Sequence, residues 1–184
     1  MFADFVLTPE QLAALEAHLE LLVRWNQKLN LTSIRNREEL IVRHYCESLF
    51  LGNHLPAGPL RIVDIGSGGG FPGFPVAVLR PNCSITLLES HQRKAVFLRE
   101  ATRNMTNVRV LARRGEDINE RFDHAISRAV SYQDLAPFLK NLAANADLLT
   151  GGEAPPVELG FTWEPPVALP WGKQRFLRIG HSGG

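Results

Sequence analysis

Cysteine is scarce in this chain. Its 184 residues include only Cys46 and Cys83, with no CxxC or CxxxC spacing. That argues against a disulfide framework or a cysteine zinc site, and fits a reducing compartment. Metal-ligand histidine patterns are missing too. His18, His44, His54, His91, His124 and His181 form no HExxH or comparable pair. No apolar run reaches the ~18 residues of a membrane span. The opening MFADFVLTPEQ carries Asp4 and Glu10 and no basic segment, so no signal peptide is expected there. Charge of one sign is not in excess either. A net charge of +1 says nothing for or against a nucleic-acid partner, since such binders are often far more basic. A soluble, cytoplasmic, monomeric protein is expected, with no metal and no membrane partner.

What is present is ordinary globular composition, 45% apolar and 21% charged, in a length that suits one domain with a small appendage. Thr8, Pro9 and Gln11 read as the cap and first turn of a helix. Leu12, Leu15, Leu19, Leu22 and Trp25 then recur on one face. The polar run Asn26–Ser33 interrupts that pattern. A second helix is expected from Asn36 to about Leu51, with Glu38 and Glu39 where the helix dipole favours anions. Residues 1–55 therefore read as a helical N-terminal cap, followed by a Pro/Gly linker.

From Leu60 the pattern alternates strand and helix. Strands are expected at Leu60–Ile65, Ser84–Leu88, Asn107–Leu111, Phe122–Ser127 and Ala146–Thr150. Helices are expected at Pro72–Leu79, from Ser90 to about Asn104, and from Ser131 to about Ala144. This is the text of βαβ units, an α/β fold with a mostly parallel sheet over residues 56–184. After Thr150 the tail is short and rich in proline and glycine; Val157–Trp163 and Gln174–Ile179 read as a closing antiparallel pair or as coil.

The informative stretch is Ile62-Val-Asp64-Ile-Gly66-Ser-Gly68-Gly-Gly70-Phe71-Pro-Gly73, between the first strand and a helix. Glycines there let backbone turn sharply and approach a ligand, at the strand end where α/β sheets bind cofactors. Two frames compete. Gly68-x-Gly70-x-x-Gly73 matches the dinucleotide fingerprint. Asp64-x-Gly66-x-Gly68 places an acid at the strand end instead, and is preferred. Gly68 comes four residues after Asp64, too late for a dinucleotide turn. Phe71-Pro72 suits an adenosyl or methionine group, and little chain is left for a nicotinamide enzyme's substrate domain. Glu89 closes the second strand, where an acid accepts ribose hydroxyls in both cofactor classes. Arg113-Arg-Gly115-Glu116 follows the third strand and reads equally as an adenine-edge loop or an exposed charged loop.

These residues resemble a known family, the bacterial small-subunit ribosomal RNA methyltransferase G, also called glucose-inhibited division protein B. The resemblance spans about residues 20–150. It rests on Trp25-Asn-Gln-Lys-Leu-Asn-Leu-Thr-Ser, Arg43-His44 with Glu47-Ser-Leu, the Asp64–Gly73 turn, Leu88-Glu-Ser, Lys94 with Phe97-Leu98, and Ser127-Arg128-Ala129. It implies a Rossmann-like class I fold and methyl transfer from S-adenosylmethionine to N7 of a guanine in 16S rRNA or the small subunit. Carried over, it implies cofactor contacts at Gly66, Phe71, Gly115, Glu116 and Arg128, with Glu89 on the ribose. Lys28, Arg43, His44 and Arg128 are the candidate RNA contacts; Arg35 and Arg37 read equally as a solvated helix start, and Trp25 reads as core packing. No catalytic base is expected, because guanine N7 carries a free lone pair and no proton. The chain departs from the family at Glu47, where an aspartate is usual, and at Thr150-Gly151, where a Lys-Gly pair is usual. If that lysine holds RNA, Lys140 or Lys173 would have to replace it. The alternatives kept open are a nicotinamide-dependent or other small-molecule enzyme, and a non-catalytic S-adenosylmethionine binder.

Overall fold

A computed structural model describes residues 6–183; Asp4, used above to read the opening segment, lies outside the described residues. Helix α1 (Pro9–Leu29) begins with the expected box: Gln11 N donates to Thr8 Oγ1, and Thr8 N donates to Gln11 Oε1. The helix continues into the polar segment Asn26–Ser33 as far as Leu29. Asn26 is buried, and its amide makes two bonds to the Thr32 backbone, both 2.9 Å. The polar run is thus a chain reversal folded back on the last helical turn.

Asn36 caps the next helix by accepting from Glu39 N. It comprises α2 (Arg37–Leu40), a π-helical turn over Ile41–Cys46, and α3 (Glu47–His54). The helix ends three residues beyond the expected Leu51. π-turns are rare and gather at functional sites; this one carries Arg43 and His44.

The sheet follows: β1 (Arg61–Ile65), α4 (Gly73–Leu79), β2 (Ser84–Leu88), α5 (Gln92–Ala101), β3 (Val108–Leu111), β4 (Phe122–Arg128), α6 (Tyr132–Leu135), α7 (Leu139–Leu142), β5 (Ala143–Thr150), β6 (Phe161–Trp163), β7 (Val167–Ala168) and β8 (Phe176–Ser182). Its order is β3-β2-β1-β4-β5-β8-β6, with β7 also beside β8. The first five strands are parallel, and β8 is antiparallel to β5 and β6. Three boundaries differ from the sequence reading. Helix α5 is preceded by His91 rather than capped by Ser90. The helix expected from Ser131 to Ala144 is split in two, because Pro137 has no N–H to continue the ladder. Strand β5 consequently starts at Ala143, not Ala146.

Helices α1, α3, α4 and α5 cover one face, and their core joins Leu15, Leu19, Leu22, Leu49 and Leu51 to Phe74 and Phe97. Each fully buried leucine stabilises by roughly 1.5–3 kcal/mol. The N-terminal helices therefore share a core with the sheet. Trp25 packs there too, edge-on to Phe97 at 5.9 Å. Helices α6 and α7 cover the other face. The tail is folded and antiparallel, but its pairing differs from the expected one: Phe161–Trp163 pairs with Gly180–Ser182, beyond the expected Gln174–Ile179, whose Phe176–Ile179 pairs with β5 instead. Among the described residues, no helix is long and apolar enough to cross a membrane.

Candidate active site

The Gly66–Gly73 loop leaves the carboxyl end of β1 and is pinned from both sides. Gly66 N and Ser67 N both donate to Leu88 O. Asp64 is fully buried beneath, and its Oδ2 accepts from Gly73 N at 2.9 Å. Burial pushes the Asp64 carboxyl up to about 7, partly offset by the bond from Gly73 N. Asp64 thus shapes the loop from below. Gly66 has φ +71, and a Cβ there would stand 2.6 Å from Val130. Only glycine serves at that position.

Glu89 lies where β2 ends, 7% exposed. Its Oε2 accepts from Gly68 N at 2.9 Å and its Oε1 from His91 N at 2.7 Å. Each oxygen keeps a free lone pair. Beside it opens a pocket of about 370 Å³, whose walls include Gly66, Leu88, Gly115, Glu116 and Phe138. A Cβ on Gly115 would collide with the Phe138 ring, so this glycine lets the ring close the pocket.

A second pocket, about 620 Å³, adjoins the first. Val130 and Gln133 line both. Its walls include Arg43, Arg128, Tyr132, Thr150 and Arg175. Ala129, between the two, holds φ +59. A non-glycine residue rarely adopts that conformation, and such residues cluster at functional sites. Behind the wall, Glu47 is 1% exposed and meets three guanidinium groups. Arg43 Nε lies 3.4 Å from Oε1 and Arg128 Nε 3.6 Å from Oε2. Arg175 donates from Nε to Oε1 at 3.2 Å and from Nη2 to Oε2 at 2.5 Å.

His44 is buried and stacks on Phe71, centroids 4.5 Å apart. Arg128 Nη1 donates to His44 Nδ1, which leaves the proton on Nε2, bonded to Thr32 Oγ1 at 2.7 Å. Burial, with Arg128 next, lowers the His44 pKa to about 3. His18 is likewise lowered to about 3 by burial. Its Nδ1 meets Tyr45 Oη at 2.6 Å, and its ring stacks on Phe74 at 4.0 Å.

The chain matches the family described as rRNA small subunit methyltransferase G over residues 11–150. The chain belongs to that family. It is 43% identical over 138 residues to the ribosomal RNA small subunit methyltransferase G of Chromobacterium violaceum, covering 73% of this chain and 65% of that protein. It is 42% identical over 122 residues to the protein of that name from Xanthomonas campestris pv. campestris strain B100, covering 64% and 57%. The chain thus spans less than two thirds of the length of these curated relatives. The crystal structure of a SAM-dependent methyltransferase from Aquifex aeolicus superposes with a TM-score of 0.61 at 16% identity, covering 79% of this chain and 93% of that one. The fold is the Rossmann-like class I methyltransferase fold.

Against this family background the expected site residues divide. Gly66, Gly115 and Glu116 line the smaller pocket, and Arg43 and Arg128 the larger one. Arg128, expected on both the cofactor and the RNA, lines the larger pocket. Phe71, also expected on the cofactor, is 5% exposed and enclosed by His18, His44 and Tyr45. The helices that cover it come from the distant N-terminal segment. Asp64, Gly68 and His44 support the site from behind. Lys28 is exposed on the last turn of α1 and lines neither pocket. Arg37 pairs with Glu20 at 2.8 Å, an exposed ion pair. Sequence reading missed the hub role of Glu47, though Arg43 and Glu47 stand four residues apart on a helix. It missed Arg175 altogether, because that residue lies in the tail beyond the family match. Neither Lys140 nor Lys173 reaches the pocket that Thr150 lines; Arg175 does.

Proposed function

We propose that this chain is an S-adenosylmethionine-dependent methyltransferase acting on N7 of a guanine in 16S rRNA of the small subunit, in the cytoplasm. One observation carries the reading: the glycine-loop pocket and the arginine-walled pocket lie side by side and share Val130 and Gln133 in their walls. A donor in the first and an acceptor in the second would be neighbours.

The residues present fit the cofactor. Leu88, Pro137 and Phe138 offer apolar walls for an adenine. Glu89 keeps two free lone pairs for a ribose diol. Gly66 and Gly115 bring backbone close where a side chain would intrude. Bound there, S-adenosylmethionine supplies an electrophilic methyl group on a sulfonium. The protein's own work is alignment, which can lower the barrier by on the order of 7–11 kcal/mol. N7 needs no deprotonation, so the neutral buried His44 is a support for Arg128 and Phe71. A stacked loop base would first have to be turned out, at a cost of a few kcal/mol.

Calorimetry with S-adenosylmethionine and with NAD tests the donor side. Labelled methyl transfer to purified small subunits, to deproteinised rRNA and to free guanosine monophosphate tests the acceptor side. Binding of the adenosyl compound and salt-sensitive transfer to the subunit or its RNA are expected. NAD binding without S-adenosylmethionine binding, or salt-independent turnover of the free nucleotide, would overturn the reading.

A further inference from the structure

We propose that Arg43, Arg128 and Arg175 form a clamp for a phosphate of the acceptor RNA strand, and that Glu47 holds the clamp in shape. The inference rests on the methyltransferase reading for what occupies the larger pocket, and adds which part of it the arginines take.

Three guanidinium groups converge on one buried carboxylate. Glu47 cannot neutralise all three, and Glu153 stands at the exposed rim. The wall therefore keeps a positive excess. The Nε groups of Arg43 and Arg128 are turned to Glu47, at 3.4 Å and 3.6 Å. A tetrahedral oxyanion on the pocket side can meet several of the remaining guanidinium donors at once. Guanidinium forks match phosphate geometry two bonds at a time. The two points on Glu47 used by Arg175 fix one edge of its fork, so the other edge is presented without a search of rotamers.

The chemistry of the transfer chooses phosphate over base. Methylation of N7 moves positive charge from sulfur onto the guanine. Guanidinium groups facing the ring would oppose that arrival. The same groups neutralised by a phosphate would not. Tyr132, on the same pocket wall, is placed to take the base instead. Its hydroxyl is tied to Glu153 O at 3.1 Å, which holds the side chain in place.

The test compares guanosine 5′-monophosphate with guanosine on the intact chain saturated with S-adenosylmethionine, by calorimetry, with inorganic phosphate as competitor. The expected result is binding of the monophosphate about tenfold tighter than guanosine, equivalent to one charge-assisted hydrogen bond, and erosion of that gap by inorganic phosphate. Arg175→Ala should remove most of the gap and lower the salt slope of transfer to RNA by about one unit. Arg175→Lys should restore part of both. Equal binding of monophosphate and guanosine to the unmodified chain overturns the clamp, whether or not any variant folds. So does an Arg175→Ala chain that keeps both the gap and the slope. Binding of S-adenosylmethionine separates the two layers: if it is retained while the phosphate preference is absent, only the clamp fails; if it is absent from the unmodified chain, the methyltransferase reading fails with it.

Discussion

The guanidinium of Arg175 grips the carboxylate of Glu47 at two points, 3.2 Å and 2.5 Å, across 128 residues of chain. This pair ties the first turn of α3 to the residue before β8, and so ties the N-terminal helices to the far side of the sheet. Removing the charge from Glu47 leaves three arginines facing one another. Glu47→Gln should destabilise the fold by about 3–5 kcal/mol, the usual cost of orphaning buried charge. Glu47→Asp keeps the charge and should lose less than half of that. Urea unfolding checks both, and an unshifted midpoint for the glutamine variant would refute the hub.

Glu89 braces Gly68 and His91 beside the pocket, between its lining residues Leu88 and Ser90. Glu89→Ala should weaken S-adenosylmethionine binding by roughly 1–3 kcal/mol, as expected for loss of hydrogen bonds to a charged acceptor. Calorimetry on the folded variant decides the matter. Unchanged affinity would confine Glu89 to bracing Gly68 and His91.

Gly66 sits in the left-handed region with Val130 across from it. Gly66→Ala should cost about 1–2 kcal/mol of stability through its backbone alone. It should also push Val130 towards the junction of the two pockets, lowering cofactor affinity. A variant that binds S-adenosylmethionine as tightly as the parent would show that the junction tolerates displacement.

Three buried groups set an acid response. His18 and His44, lowered to about 3, take up protons on unfolding below their ordinary value of 6.5. Their contribution is complete above that value and is lost as pH falls. Asp64, raised to about 7, runs the other way: its contribution is complete below the ordinary 3.8 and is lost as pH rises through 7. Between about pH 4 and 6.5 the three leave one net proton, so stability should fall by about 1.4 kcal/mol per unit of acidification. Asp64→Asn should roughly double that slope and His18→Asn should flatten it. Urea midpoints measured across this range would contradict the assignment if the two variants ran parallel to the parent.

Thr150→Lys would restore the residue usual in the family to a wall that already holds three cations. The salt slope of RNA methylation should rise by about one unit while turnover does not improve. A several-fold gain in transfer rate would mean that Arg175 does not replace the lysine.

The legible parts of this protein were the local ones. A capping box is written in four residues, and Thr8-Pro9-Glu10-Gln11 folded as read. The Asp64–Gly73 turn was legible because its backbone demands show directly as glycine, and β2 matched because Ile85–Leu88 is a buried, mostly apolar run after an exposed serine. Asn26 misled because its partner, the Thr32 backbone, appears only after the reversal. The surroundings of Phe71 were hidden for a similar reason. Beside a glycine loop an aromatic ring reads as a ligand platform, but His18 and His44 arrive from another segment to cover it. Arg175 had no local signal. Its meaning comes from β8 entering the sheet between β5 and β6.

That insertion has a consequence for synthesis. Strand β5 is complete at residue 150, yet its outer edge is not covered until Phe176–Ser182 arrives to pair with it. Until that later strand is made and docks, Ala143–Thr150 has one row of amides and carbonyls without its final partner, in a mostly apolar sequence. Unpaired edges of this kind recruit other strands and seed aggregation. The folding chain is therefore open to misassembly until those two strands pair, a vulnerability that no contact of the finished fold displays.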